Sequence, residues 1–199
     1  MPANSFVADG ALLLLDDSET VFADQLIARA AGLIMEIATP DVTVGRSCAT
    51  CGSTDHGQPL VVRPGMTVRE CSVSFSRAAG HSCAAARLGA AIGVDIESVS
   101  AVGRHPVDDV LLASAEKLEL AGLGSGGARY LAQLWVAKES ITKLAGVGLR
   151  ADLTELHVRL DGSAAELVSW PSGPSFDAAP RVTLFDVTDD IVGALAVLD

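Results

Sequence analysis

The chain has 199 residues, of which 49% are hydrophobic, with a mean hydropathy of +0.39, so it carries enough apolar material for one packed domain or two small ones. Its 14 Lys and Arg against 25 Asp and Glu give a formal charge of −11; such a surface repels phosphate backbones at long range and excludes nucleic acid as a broad electrostatic partner. MPANSFVADG has no basic leader region, ALLLL is too short for a signal core, and no stretch approaches the roughly 18 apolar residues of a membrane span; the expectation is a soluble cytoplasmic protein that does not engage a membrane.

In chain order, GALLLLDD reads as a short strand. SETVFADQLIARAAGLIMEIA reads as a helix capped at Ser18, with Val21, Leu26, Ile27, Ala30, Leu33 and Ile34 mostly on one face. PDVTVGRS is a strand with polar alternation, CATCGSTDHGQP a loop, and LVVRPGMTVRECSVSFS one or two strands around a Pro64-Gly65 turn. HSCAAARLGAAIGVDIE holds a strand ending on Asp95 and Glu97. HPVDDVLLASAEKLELAGL is a helix, interrupted after Leu123 by GSGGA. RYLAQLWVAKESITKLAG is the clearest helix and is closed by Gly146. Strands follow at ELHVRL, AELVSW, RVTLFDVT and DIVGALAVLD, with PSGPSFDAAP as a loop. A helix with several mostly antiparallel strands in each half predicts an α+β protein of two similar lobes, residues 1–95 and 96–199, with a site between them.

Four cysteines stand at positions 48, 51, 71 and 83, and without a secretory signal they are expected as reduced thiols. Cys48 and Cys51 have metal-knuckle spacing that His56 and Cys71 could complete as a zinc site. No second Cys-x-x-Cys follows, and Cys51-Gly52-Ser53 and His56-Gly57 are turn-forming, so the plain loop is the preferred reading.

Alternation along a strand puts Asp95 and Glu97 on one face and Ile96 on the other. Two anions side by side repel unless a cation lies between them. In LWVAKESITK, Trp135, Glu139 and Lys143 follow one another at single-turn spacing, with Lys138 about 100° around the helix from Glu139. Alone, Glu139 and Lys143 are an ordinary surface pair. Taken together, Asp95, Glu97 and Glu139 make an all-oxygen site suited to Mg²⁺, with two lysines placed for phosphates.

GVDIE followed, forty residues after Asp95, by WVAKESITK resembles the signature of the 4′-phosphopantetheinyl transferases. CGSTDHGQPLV is similar to that family's C-G-x-x-G-K-P loop, and CSVSFSRAAGHSCAA to its N-x-S-H-S strand. Chain length and layout look like the surfactin-type branch, a monomer of two related α+β lobes about a pseudo-twofold axis. The resemblance implies transfer of the phosphopantetheine arm of coenzyme A to a serine of an apo acyl or peptidyl carrier protein. It implies Mg²⁺, or Mn²⁺, on Asp95, Glu97 and Glu139. It makes Glu139 the acceptor of the serine proton, Lys138 a stabiliser of the transferring phosphate and Lys143 a phosphate contact. Ser74, Phe75, Ser76, Gln58 and Pro59 would lie along coenzyme A. The chain departs from the pattern at Phe75, where the family has histidine, and at Gln58, where it has lysine or arginine. It departs also in residues 1–45, whose one basic residue is Arg29. Ser74, Ser76 and Arg77 remain as donors, and the alternative implied is a non-catalytic module binding coenzyme A or a carrier. Carrier proteins are themselves acidic, so docking would use apolar contacts and a basic spot drawn from Arg104, His105, Lys117 or Arg150.

Overall fold

The computed structural model describes residues 4–18, 21–62 and 70–198. Leu12 to Leu14 are all buried, and the reason is visible in the first sheet, which is covered on both faces. Leu12 and Leu14 of β2 (Ala11–Asp16) pack under the helix α1 (Ala23–Met35), while Ala11 and Leu13 point into a second core on the far side. The sheet runs β1-β2-β6-β5, with β1 (Ser5–Ala8), β5 (Cys71–Ala78) and β6 (His81–Leu88), and its pairs are antiparallel. Alanines 84 to 86 of β6 alternate between the same two cores. Small side chains there let both layers come close in a protein with only 4% aromatic residues. A separate hairpin of β3 (Thr43–Ser47) and β4 (Gln58–Val62) carries the cysteine loop.

The second sheet is ordered β7-β11-β10-β9-β8, again antiparallel, from β7 (Ala91–Ser98), β8 (His157–Asp161), β9 (Ala164–Ser169), β10 (Arg181–Asp186) and β11 (Ile191–Leu198). β7 and β11 pair along their full length, Ala91 with Leu198 through Ser98 with Ile191. The helix α5 (Gly127–Leu144) lies on this sheet over a core that includes Leu134, Ile141, Leu156 and Val192. Three short helices, α2 (Val99–Val102), α3 (Asp108–Leu111) and α4 (Ser114–Ala121), connect β7 to α5. The architecture is thus α+β, with one long helix on each of two antiparallel sheets, and the sheets joined by a core containing Leu13, Ala85, Val94 and Leu195. No helix among the described residues is long and apolar enough to cross a membrane.

Several expectations change. α1 starts at Ala23 rather than after Ser18, because Ser18 turns back and its amide donates to Asp16 Oδ1 at 2.9 Å. The Pro64-Gly65 turn lies outside the described residues. HSCAAARLGAAIGVDIE is two strands, not one: at Gly89 the chain takes φ +72° and passes from one sheet to the other. The helix expected from His105 breaks at Leu112 and Ala113, which are extended, and α3 and α4 flank the break. α5 ends as its sequence predicts: Gly146 adopts φ +72°, its N–H donates to Lys143 O at 3.0 Å, and Val147 N–H donates to Thr142 O at 3.1 Å.

At Gly93 the backbone of α5 packs directly against β7. A Cβ at that position would stand 2.0 Å from the Ser140 carbonyl oxygen and 2.6 Å from Leu144 N. Gly93→Ala must therefore push α5 off β7, at an expected cost of about 1–3 kcal/mol or more. Urea unfolding should show the loss, with Gly126→Ala, where a Cβ meets nothing within 4 Å, as the near-neutral control.

Candidate functional site

The face of β7 that carries Gly93, Asp95 and Glu97 looks toward α5, while Ile92, Val94 and Ile96 fill the core between the sheets. Asp95 is 5% exposed, and its Oδ1 accepts hydrogen bonds from Ser76 Oγ at 2.7 Å and Lys143 Nζ at 2.6 Å. Lys143 Nζ also donates to Val94 O at 3.2 Å and to Phe75 O at 3.4 Å. The amide of Val94 donates to Ser74 Oγ at 3.0 Å. The edge of the first sheet, β5, and the edge of the second, β7, are thereby sewn together by two serines and one ammonium group.

Glu139 sits one helical turn before Lys143 and is 4% exposed. Two oxygens here, Asp95 Oδ2 and Glu139 Oε1, are buried without a hydrogen-bond partner. Burial pushes both carboxyls above the usual range; Asp95 adds to the rise at Glu139, and Lys143 opposes it at both. Glu97 is half-buried, with Oε1 accepting from Ser98 N–H at 2.6 Å; burial raises it, and that amide partly offsets the rise. Asp95 keeps Lys143 and Ser76 on Oδ1, so what is unmet is one buried acceptor oxygen on each acid, a costly arrangement that a bound cation or a proton would relieve. A hard, all-oxygen donor set fits Mg²⁺ or Mn²⁺. The three acids do not converge as tightly as their spacing implied. Among the described residues, the one His, Cys, Asp and Glu trio with ligand atoms all within 4.8 Å of one another is Cys48, Cys51 and His56.

Lys138 is elsewhere, and the expectation that it stabilises a phosphate is corrected. Its side chain is fully buried, with Nζ donating to Glu116 Oε2 at 2.6 Å, Leu111 O at 2.6 Å and Leu153 O at 2.9 Å. One helical position separates it from Glu139, but about 100° of rotation turns it into the core beside Leu111 and Leu153.

A cavity of about 830 Å³, within the range of small-molecule sites, opens beside Lys143. Gln58, Pro59, Ser74 and Phe75 line it, as do Arg46 and Arg150. The carboxylates do not form its wall; it meets them through Lys143. Gln58 Nε2 reaches Lys143 O at 3.4 Å, which docks the start of β4 on the end of α5. Phe75 offers no side-chain donor: its ring packs into the first core with the Arg77 guanidinium 5.7 Å from its centroid. Arg77 in turn is held by Ser82 Oγ and Val21 O. Arg46, ion-paired to Asp24, is a cavity cation that nothing in its local spacing marked. Arg150, considered above only for docking, is another, whereas Lys117 is paired with Asp109 at 2.8 Å.

On the rim of this cavity, the amides of Cys51 and Thr50 aim at the Cys48 sulfur and bring its thiol down to about 6. Cys71 and Cys83 are buried, and burial pushes their thiols up to about 11 and about 12. Cys71 packs in the first core and does not join the Cys48 cluster as a fourth ligand.

Residues 91–194, just over half of the chain, match the family model of the 4′-phosphopantetheinyl transferase superfamily. Among solved structures the chain is similar to the holo-[acyl-carrier-protein] synthase of Neisseria meningitidis, at 26% identity over 55% of this chain and 97% of that one, with a TM-score of 0.44. It is similar also to the holo-ACP synthase of Plasmodium yoelii, at 19% identity over 55% and 94%, TM-score 0.42. A third is the holo-[acyl-carrier-protein] synthase of Thermotoga maritima, at 20% identity over 55% and 62%, TM-score 0.43. No curated protein matches.

Proposed function

This chain belongs to the 4′-phosphopantetheinyl transferase superfamily, and we propose that it moves the phosphopantetheine arm of coenzyme A onto a serine of an apo acyl or peptidyl carrier protein, releasing adenosine 3′,5′-bisphosphate. The observation that carries the proposal is the pair of orphaned buried oxygens, Asp95 Oδ2 and Glu139 Oε1, beside Lys143 at the edge of the large cavity. Asp95 and Glu139 would hold Mg²⁺ or Mn²⁺, with Glu97 at the more open side. A bound divalent ion supplies neutralisation of pyrophosphate charge, the main need of phosphoryl transfer.

The chain's own groups do the rest. Ser76 and Lys143 fix Asp95 by two hydrogen bonds to Oδ1, leaving Oδ2 free to face a ligand. Lys143, anchored on two backbone carbonyls, presents a fixed cation at the cavity, and Arg46 and Arg150 add charge farther along its wall. Against a net charge of −11, these are the local cations an anionic nucleotide needs. Glu139, held above the usual carboxylate range by burial, is suited to take the serine proton. Gln58, Pro59, Ser74 and Phe75 bound the space for the nucleotide. The surfactin-type arrangement, in which one chain of two lobes (residues 1–95 and 96–199) works as a monomer, is favoured because β5, β7 and α5 of a single chain meet at the site.

The test is mass spectrometry of purified apo-carrier after incubation with this protein, coenzyme A and Mg²⁺. Transfer adds roughly 340 Da, the mass of the arm, and chelation abolishes the gain. Calorimetric binding of coenzyme A with no gain on acyl or peptidyl carriers would replace the proposal with a non-catalytic binding module.

A further inference from the structure

We propose that Cys48, Cys51 and His56 form a zinc site that sets the shape of the loop bordering the cavity. The ligand atoms of the three residues lie within 4.8 Å of one another, and Cys51 Sγ is 3.4 Å from His56 Nε2. Two thiolates and an imidazole are the soft-to-borderline set that selects Zn²⁺ over the hard ions suited to Asp95 and Glu139. The two sites are therefore chemically distinct.

The backbone around the trio is already folded to receive an ion. Cys48 N–H donates to Ser53 O at 3.0 Å and Gly52 N–H to Cys48 O at 2.9 Å, closing a tight turn through Gly52 at φ +71°. The amides of Thr50 and Cys51 point at the Cys48 sulfur, where they spread the negative charge of a ligating thiolate. Gly57, at φ +106°, brings the returning chain against Ser47: a Cβ there would be 2.3 Å from Ser47 O. Cys51 and His56 are exposed and Cys48 is half-buried, so three protein ligands leave the fourth tetrahedral position to solvent. The residues just past His56, Gly57 to Pro59, are cavity wall. An ion closing the loop would remove the freedom of the segment from Cys48 to His56 and hold Gln58 against the end of α5.

The experiment uses the full untagged chain, purified under reducing conditions without chelator and dialysed against metal-free buffer. Plasma mass spectrometry should find one zinc per chain. Co²⁺ added to the stripped protein should give thiolate-to-cobalt charge transfer and the intense visible bands of a tetrahedral site. Cys51→Ser and His56→Ala should each weaken metal binding by more than the roughly 10–100-fold expected for loss of an outer partner, while Cys71→Ser should not change it. Because the loop lies at the surface, far-UV circular dichroism of the variants should stay that of the parent. The proposal is overturned if the wild type retains no zinc and Co²⁺ keeps its weak octahedral spectrum, if Cys51→Ser binds as tightly as the parent, or if intact mass shows Cys48 and Cys51 joined as a disulfide under these conditions. None of these readouts depends on transferase activity.

Discussion

Lys138→Met should lower the stability of the protein by about 3–5 kcal/mol, the usual effect of stripping one partner from a buried ion pair, and should leave turnover by the folded molecules largely intact. Both side chains of the Lys138–Glu116 pair are fully buried. The ammonium has three donors, and all three are used, on Glu116, Leu111 O and Leu153 O. Burial pulls its pKa down, and Glu116 opposes that fall. Glu116 is equally engaged: Oε2 also accepts from Ala113 N–H at 2.7 Å and Oε1 from Val158 N–H at 2.8 Å. The pair thus ties α3, the start of α4 and β8 to the middle of α5. Methionine can fill the space but leaves a carboxylate and two carbonyls without their partner. Urea unfolding of Lys138→Met, Glu116→Gln and the double variant gives the coupling between the two residues, which should be clearly non-additive. Transfer rates measured well below the unfolding midpoint should stay near the parent's. A collapse of rate at unchanged stability would instead place Lys138 on the substrate.

Glu139→Gln has the opposite signature. Loss of the proposed base and proposed cation ligand should cut transfer by about 10²–10⁴-fold, while the metal-free protein should become more stable at neutral pH. The sign follows from linkage. The folded-state pKa of Glu139 lies above its unfolded value, so the folded state binds the extra proton and loses stability as pH rises through that interval. Glutamine, which cannot ionise, escapes this loss. The gain should be present at neutral pH and vanish in acid, where the glutamate is protonated in both states. Mg²⁺ should raise the melting temperature of the parent by mass action and leave that of the variant nearly unchanged. A variant less stable than the parent at neutral pH without metal would show that Glu139 is a structural acid.

These two neighbours on α5 also mark where sequence reasoning reached and where it stopped. Asp95, Glu139 and Lys143 were legible because each is placed by the period of its own element, two for the strand and about four for the helix turn. Lys138 obeys the same period, but what it meets is decided by Glu116, 22 positions away in another helix, and no local pattern announces a long-range ion pair. ALLLL was legible as a strand, since a sheet buried on both faces demands a continuous apolar run. HSCAAARLGAAIGVDIE yielded the strand that carries the acids but not the one before it: the alanines on both sides of Gly89 hide the reversal, and no second turn residue stands beside that glycine. Ser18 has the chemistry of a helix cap, yet Asp16 two residues earlier is the nearer partner. The sequence offers Cys48, Cys51, His56 and Cys71 as a metal set but favours a plain loop; only the closed hairpin brings His56 to 3.4 Å from Cys51 and leaves Cys71 in the core.

Lys143 takes acceptors from both sheet edges, Phe75 on β5 and Val94 and Asp95 on β7. Were the polypeptide severed at Gly89 and supplied as two fragments, neither piece would own a finished anchorage for that ammonium, nor would Asp95 keep its serine. Covalent continuity therefore works as an effective-concentration device, holding the two halves together at a density that separate fragments in dilute solution do not reach.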